Sequence, residues 1–384
     1  MKKTLIALAA LAVVSAASAQ SSVTIYGVVD MGIAQLKDSV SVLGTTGDYV
    51  KNGVQQGTLS NSRIGFKGTE DLGAGLKANF VYELQISPDE NVQALTNRLA
   101  TVGLSGGFGA VTIGRQYSPY WVVQNAVDLV GNLNYTPGYV VNNHLVDSGR
   151  VSNSVQYASP SFGGFSVIAQ VGAGTTGGGT EAANGAAQAG KSFGLAGIYG
   201  AGPLLVGAAY NDVTNPGANV GSMSTITGAT PYGVGGSALA SFGSGASAVG
   251  TLVNANGIIA SNEVKVWAAG GSYDFRVVKA SLAYSSLTDQ KTGGVQDLTS
   301  KGWNASISAP LGAVTLAANL GRANVQQADL GLDGTITGYQ LLANYALSKR
   351  TTAYATFGRD KTEGNNGTEL LVRTSTAVGI RHTF

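Results

Sequence analysis

The chain has 384 residues, 44% of them hydrophobic and only 11% charged, where a soluble domain averages about 25% charged residues. With 56 glycines in no period of three, 8 prolines and no cysteine, a disulfide scaffold, a thiol-ligated metal centre and collagen are all excluded. The formal net charge of +2 leaves no nucleic-acid footprint, and so low a charge fraction argues against disorder.

Residues 1–19, MKKTLIALAALAVVSAASA, read as a cleaved secretory signal. Lys2 and Lys3 form a positive start, Leu5 to Val14 an apolar stretch, and Ala17-Ser18-Ala19 a small-residue cleavage site. The segment is too short for a membrane anchor. Residues 20–384 then form one domain with no net charge, so its isoelectric point says nothing about partners.

From Ser21 onward the sequence reads as strands. VTIYGVVD (23–30), RIGFKG (63–68), LKANFVYEL (76–84) and GYQLLANYAL (338–347) alternate apolar with small or polar residues. In 76–84 the even positions are Leu76, Ala78, Phe80, Tyr82 and Leu84, and the odd ones Lys77, Asn79, Val81 and Glu83. One face suits hydrocarbon and the other water. No window shows a sustained helical period. The connections alternate in length: short turns at 70–75, 105–109, 160–164, 200–203, 274–276, 309–313 and 347–350, longer stretches at 37–57, 88–96, 116–149, 174–190, 212–262, 289–298, 324–334 and 361–373. Fifteen connections predict sixteen strands. An all-β, antiparallel transmembrane barrel of sixteen strands follows, with short periplasmic turns and long extracellular loops. Its closed ladder leaves no backbone group bare in lipid, and sixteen strands enclose an aqueous channel.

The chain ends in TAVGIRHTF, where Val378, Ile380, His382 and Phe384 share one parity. With SSVTIYGVVD, SRIGFKGTEDLGAGLKANFVYEL, VGLSGGFGAVTIGRQYSP, RVSNSVQYASPSFGGF, ALSKRTTAYATFG and VGIRHTF in order, the chain resembles the trimeric Gram-negative general porins of β-proteobacterial type, from Ser21 to Phe384. The resemblance implies an outer-membrane homotrimer among lipid and lipopolysaccharide, passing small hydrophilic solutes and ions. It also implies that the third loop, 116–149, folds into the lumen as a constriction. The terminal Phe384 resembles the signal read by the barrel assembly machinery.

Charged residues of inward parity are the pore candidates. Ile64 and Phe66 set the lipid face of RIGFKG, which turns Arg63 and Lys67 to the lumen, and Glu83 faces inward as above. Val151, Val155 and Tyr157 share a parity opposite to Arg150. Parity leaves Arg98 open, since Ala100, Val102 and Leu104 share its face while Leu99 and Thr101 hold the other. The resemblance assigns Arg63, Arg98 and Arg150 to the basic wall of the constriction and Glu83 to a lumen carboxylate. Arg115 lies on the apolar parity of VTIGR, either a lumen residue or an anchor for the third loop. Asp128, the only acid between Gln116 and Val146 where relatives are acid-rich, is the constriction candidate on the third loop.

Other chemistry finds little support. Gly185 to Ser192 fits the phosphate-loop pattern and Gly172-x-Gly174-x-x-Gly177 the dinucleotide pattern, but neither lies between a strand and a helix. The two histidines, His144 and His382, have no nucleophile or ligand set around them, so no catalytic residue, metal or cofactor is expected. The alternatives are a sugar-type channel lined by Tyr117, Tyr120, Trp121, Tyr135 and Tyr139, an outer-membrane enzyme, and an adhesive barrel acting through the loop 212–262.

Overall fold

The computed structural model describes residues 22–42, 45–89, 95–131, 149–173, 191–217, 261–291, 298–327 and 332–384. The signal 1–19, His144, Tyr135, Tyr139 and most of 212–262 lie outside these residues. The strands begin with β1 (Ser22–Val42), β2 (Thr45–Gln56), β3 (Arg63–Gly73), β4 (Leu76–Gln85), β5 (Thr96–Gly106) and β6 (Gly109–Tyr117). A short helix, α1 (Pro119–Val127), precedes β7 (Arg150–Ala158), β8 (Phe165–Ala173), β9 (Lys191–Ala201), β10 (Leu204–Gly217) and β11 (Ser261–Asp274). The sheet continues through β12 (Lys279–Lys291), β13 (Leu298–Leu311), β14 (Val314–Gln327) and β15 (Leu332–Ala346). It ends with β16 (Thr351–Gly364) and β17 (Glu369–Thr383).

Every pairing is antiparallel, and β17 returns to β1 from Val28↔Thr383 to Val40↔Leu371, which closes the sheet into a barrel. The seventeen strands occupy sixteen positions around it. β3 pairs the lower part of β1, Ser22↔Thr69 to Val28↔Arg63, and β2 pairs the upper part, Met31↔Gln56 to Val42↔Thr45. β2 and β3 are thus two halves of one stave, broken at 57–62.

Period-two alternation is what the barrel needs, because hydrocarbon lies outside and water inside. Ile33, Val102, Ile113, Leu282, Val378 and Ile380 are exposed on the outer face, while Asp30, Gln170, Asn211, Asn304, Asn319 and Ser375 are buried on the inner one. The final strand closes on a specific contact. Phe384 exchanges both main-chain hydrogen bonds with Gly27, 3.0 and 3.2 Å, and its ring covers the place where a Cβ at residue 27 would stand. Glycine there lets the terminal aromatic lie flat against the first strand.

The short turns fall where the sequence places them, but several expected loops are shorter. Residues 37–57, 324–334 and 361–373 are largely strand: β1 and β2 meet across 43–44, β14 and β15 across 328–331, and β16 and β17 across 365–368. These extensions are dominated by polar residues and glycine, with few apolar ones such as Val50 and Val54, so the alternation that marks a lipid-facing strand is weak in them. They pair because the neighbouring backbone is there to be paired. The helix α1 is the other departure from the sequence reading. Nine residues are too few to show a periodic face, and its signal lies in its start: Ser118 Oγ accepts from the Trp121 N–H at 3.2 Å, and Pro119 opens the first turn.

Candidate functional site

Loop 3 leaves β6 and turns into the barrel. At its neck the Ser118 N–H donates to the Gly149 carbonyl, 2.8 Å, so the outgoing and returning chains are tied together. Gly149 has φ +57, and the Trp121 ring fills the space a Cβ would need. Inside, α1 lies on β9–β12, where Tyr120 and Val123 pack with Ala196, Ala209, Val264, Val266, Ala268 and Leu287. Asn211 Oδ1 accepts from the Tyr120 N–H, 2.9 Å, satisfying one of the free donors at the helix start. Beyond the helix, Val130 shares a buried cluster with Leu59, Ala317, Leu342 and Tyr354. The described part of loop 3, up to Gly131, therefore lies along the inner wall of the barrel.

Facing this loop, five consecutive strands bring three arginines together. Glu83 on β4 stands at the centre. Its Oε1 accepts from Arg98 Nε at 2.7 Å, its Oε2 lies 3.5 Å from Arg63 Nε, and Tyr26 donates to the same Oε2 at 3.0 Å. The Tyr117 hydroxyl accepts from Arg98 Nη2 at 3.4 Å and Arg150 Nη2 at 3.2 Å. The Arg150 guanidinium also lies over the Tyr117 ring, 4.8 Å from its centroid, a cation–π contact. Tyr117 stacks on Trp121 at 5.9 Å, and its carbonyl accepts from Gln156 and Gln170. Two guanidiniums thus share one carboxylate, and the third joins them through the Tyr117 hydroxyl. Such an array, in a channel with low-dielectric walls, focuses a positive potential.

Local irregularities aim two of these arginines. Opposite β4, Glu83 pairs Leu99 and Leu84 pairs Asn97, so Arg98 is the extra residue of a bulge. The bulge turns it to the lumen against its strict parity. A second irregularity separates Gly114↔Ser154 from Gln116↔Val151, with Asn153 at φ 49. It corrects the sequence reading of β7: Val151 is buried on the inner side, while Val155 and Tyr157 face out. Arg150, just before it, reaches Tyr117 because the chain is emerging from loop 3.

The remaining candidates hold other partners. Lys67 Nζ lies 5.3 Å from the centroid of the Tyr26 ring, next to the Glu83 network. Arg115 donates to the Asn97 carbonyl at 2.9 Å and to Ser152 Oγ at 2.8 Å, across the bulged ladder and away from the network. Asp128 ends α1, and its Oδ1 accepts from the Val130 and Gly131 N–H groups, turning the chain. Of the aromatic row of a sugar channel, Tyr135 and Tyr139 lie outside the described residues, and the others are engaged in the loop's own packing. Tyr120 is buried against the wall, and Tyr117 is covered by Arg150 and Trp121. Lys191 and Ser192 of the phosphate-loop pattern open strand β9 rather than a helix. Sequence reasoning missed Tyr26 and Asp30 as lumen groups, although both share the inward parity of Val28 on the first strand.

The comparisons with known proteins agree with this architecture. The family model described as Gram-negative porin matches residues 6–365. An outer membrane porin protein of Bordetella pertussis is 30% identical over the full length of both chains. Outer membrane porin protein 32 of Delftia acidovorans is 40% identical over 43% of this chain, a match that spans about half (48%) of that relative. Among solved structures, an anion-selective porin from Comamonas acidovorans superposes with a TM-score of 0.68 at 25% identity, covering 95% of this chain and 100% of the other. The trimer form of OmpT from Vibrio cholerae, at 14% identity and a TM-score of 0.62, covers 95% and 99% and shares the fold. A closed sixteen-position barrel, a loop laid through its lumen and a family match across nearly the whole chain have one reading: the chain belongs to the Gram-negative porins, outer-membrane barrels whose water-filled channels pass small hydrophilic solutes.

Proposed function

We propose that this porin favours small anions, with Arg63, Arg98, Arg150 and Glu83 at the narrowest section. The observation that carries the proposal is three guanidiniums gathered in one network with a single carboxylate, Arg63 and Arg98 on Glu83 and Arg98 and Arg150 on the Tyr117 hydroxyl. Lys67 adds positive charge nearby, and the carboxylate of Asp128 is engaged by its own loop. The likeness to a porin described as anion-selective supports the same sign. Solute passage is passive, with no catalytic step. Measured in a KCl gradient across a planar bilayer, the wild-type reversal potential lies on the anion side. Arg63→Gln and Arg150→Gln each move it toward cation preference. The bias fades toward 1 M salt, where the Debye length is about 3 Å. Strong cation preference in the wild type, or no response to both changes, overturns the assignment.

The mature unit in this proposal is residues 20–384 after removal of 1–19, assembled as a homotrimer through the barrel machinery and seated among lipopolysaccharide. In it, 116–149 is the constriction loop and 212–262 a surface loop. An oligomer in unheated detergent gels that collapses to one band on boiling supports the trimer, and a monomeric scattering mass in mild detergent rejects it.

A further inference from the structure

Asp30 takes no part in the arginine network, yet its carboxylate is fully enclosed in the lumen wall. The six residues between β2 and β3 fold onto it. Oδ2 accepts from the Leu59 and Ser60 N–H groups, both at 2.8 Å. Oδ1 accepts from the Tyr354 hydroxyl at 2.7 Å, across the closure of the barrel. The main chain of Asp30 joins in: its N–H donates to Ser62 Oγ at 3.0 Å, and its carbonyl accepts from the Gly57 N–H at 2.9 Å. A carboxylate suits this place because it offers acceptors only, and all three groups facing it are donors.

The folded segment has two outputs, both toward the channel. Leu59, at its apex, is buried with Val130 of loop 3 and with Ala317, Leu342 and Tyr354 of the wall. Arg63 Nη1 donates to Ser60 Oγ at 3.2 Å and to the Asn61 carbonyl at 3.1 Å. The neck of loop 3 is tied at Ser118 and Gly149, and its helix rests on β9–β12. Past Asp128 the described chain runs on to Gly131, and the Val130 cluster is where it meets the opposite wall. We infer that Asp30 is a positioning residue for the pore: through residues 57–62 it holds loop 3 at Val130 against β14–β16 and sets the direction of Arg63. The free cross-section of the channel then depends on a carboxylate that no solute touches. This rests on loop 3 lying in the lumen, and only its effect on selectivity rests on the anion proposal.

Single-channel recordings of the full-length assembled protein test it with three variants. Asp30→Asn places amide donors against the donors of Leu59, Ser60 or Tyr354, and the expected result is a higher mean conductance with added substates. Leu59→Ala changes no charge and should raise conductance in the same way. Tyr354→Phe, which removes one donor, should give a smaller rise. In each, the heat-modifiable oligomer on gels reports that assembly is intact. If Asp30→Asn alone alters conductance while Leu59→Ala matches the wild type, Asp30 acts through its charge and the inference fails. If all three conduct as the wild type, it fails outright. Should Asp30→Asn not assemble, Leu59→Ala and Tyr354→Phe decide by the same criterion. A shift of reversal potential without any change of conductance also counts against it. A wild type without anion bias, with conductance raised in Leu59→Ala, overturns the anion proposal and leaves this one standing.

Discussion

Two stretches of the lumen wall share the same backbone pattern and opposite chemistry. From β3 to β7 the inward positions carry Arg63, Glu83, Arg98 and Arg150, bound to one another and to Tyr117. From β9 to β12 the inward positions include Ala196, Ala209, Val264, Val266, Ala268 and Leu287, buried beneath α1. The first wall meets water and the second meets protein. An inward face of a barrel strand is therefore mainly apolar where the loop helix lies on it, and the polar Asn211 there is bonded to the covering chain. Where loop 3 lies down, small and apolar residues make room for the helix, and burying that seam stabilises the loop at about 25 cal/mol per Å² of apolar surface removed from water.

The comparison predicts unequal tolerance to charge. Val266→Asp puts an unpaired carboxylate into the covered seam, at a cost of about 3–5 kcal/mol, read as a lower melting temperature of the assembled protein and as excess conductance from an undocked loop. Gln85→Glu, beside Arg98 on the wet wall, should leave the melting temperature near wild type and weaken the anion bias. Equal losses in both would show that the two walls do not differ in this way.

Within the basic wall, Glu83→Gln removes the one carboxylate that Arg98 and Arg63 share. The Arg98 side chain is only 8% exposed, so its guanidinium loses its main partner at a cost of about 1–3 kcal/mol. The reversal potential should move further to the anion side, opposite in sign to the arginine variants. A shift toward cations would mean that the arginines need Glu83 to point at the channel more than they are neutralised by it.

Away from both walls, effects shrink. Deleting Phe384 removes the ring over Gly27 and the last two hydrogen bonds of the closure. Its side chain is 44% exposed on the outer face, so the packing lost is only about 1 kcal/mol. The expected defect is in outer-membrane level, measured by surface labelling, with conductance of the assembled channels unchanged. The smallest effect belongs to Arg115→Ala. Its partners Asn97 and Ser152 brace the ladder, and the reversal potential should not move. A shift as large as that of Arg63→Gln would return Arg115 to the lumen.

Much of this architecture could be read from the residues. Alternation in 76–84 placed Phe80 and Tyr82 outside and Glu83 inside, because a strand has only two faces and here each meets a different solvent. The alternation of loop lengths gave the number of positions around the barrel, and Arg63 and Glu83 followed from parity alone. Arg98 did not. Its parity matches Ala100 and Val102, and only the bulge opposite Glu83 and Leu84 turns it inward. Grouping Val151 with Val155 turns Arg150 inward on parity, although the break at Asn153 puts the two valines on opposite faces. The helix at 119–127 escaped because it spans about two turns, too few for a periodic signal.

The sequence by itself determined the barrel, its strand positions and the sign of each regular side chain, since these depend on a two-residue period repeated along every strand. Only the tertiary structure decided which inward faces are wet and which lie under loop 3, because that depends on where one strand-to-strand connection comes to rest. It also decided the meeting of Arg63, Arg98, Arg150, Glu83 and Tyr117, which spans residues 63 to 150 and depends on two bulges. The place of Asp30 is of the same kind. One acid in VTIYGVVD says nothing of its partners until barrel closure brings Tyr354 to one oxygen and the break between β2 and β3 brings Leu59 and Ser60 to the other.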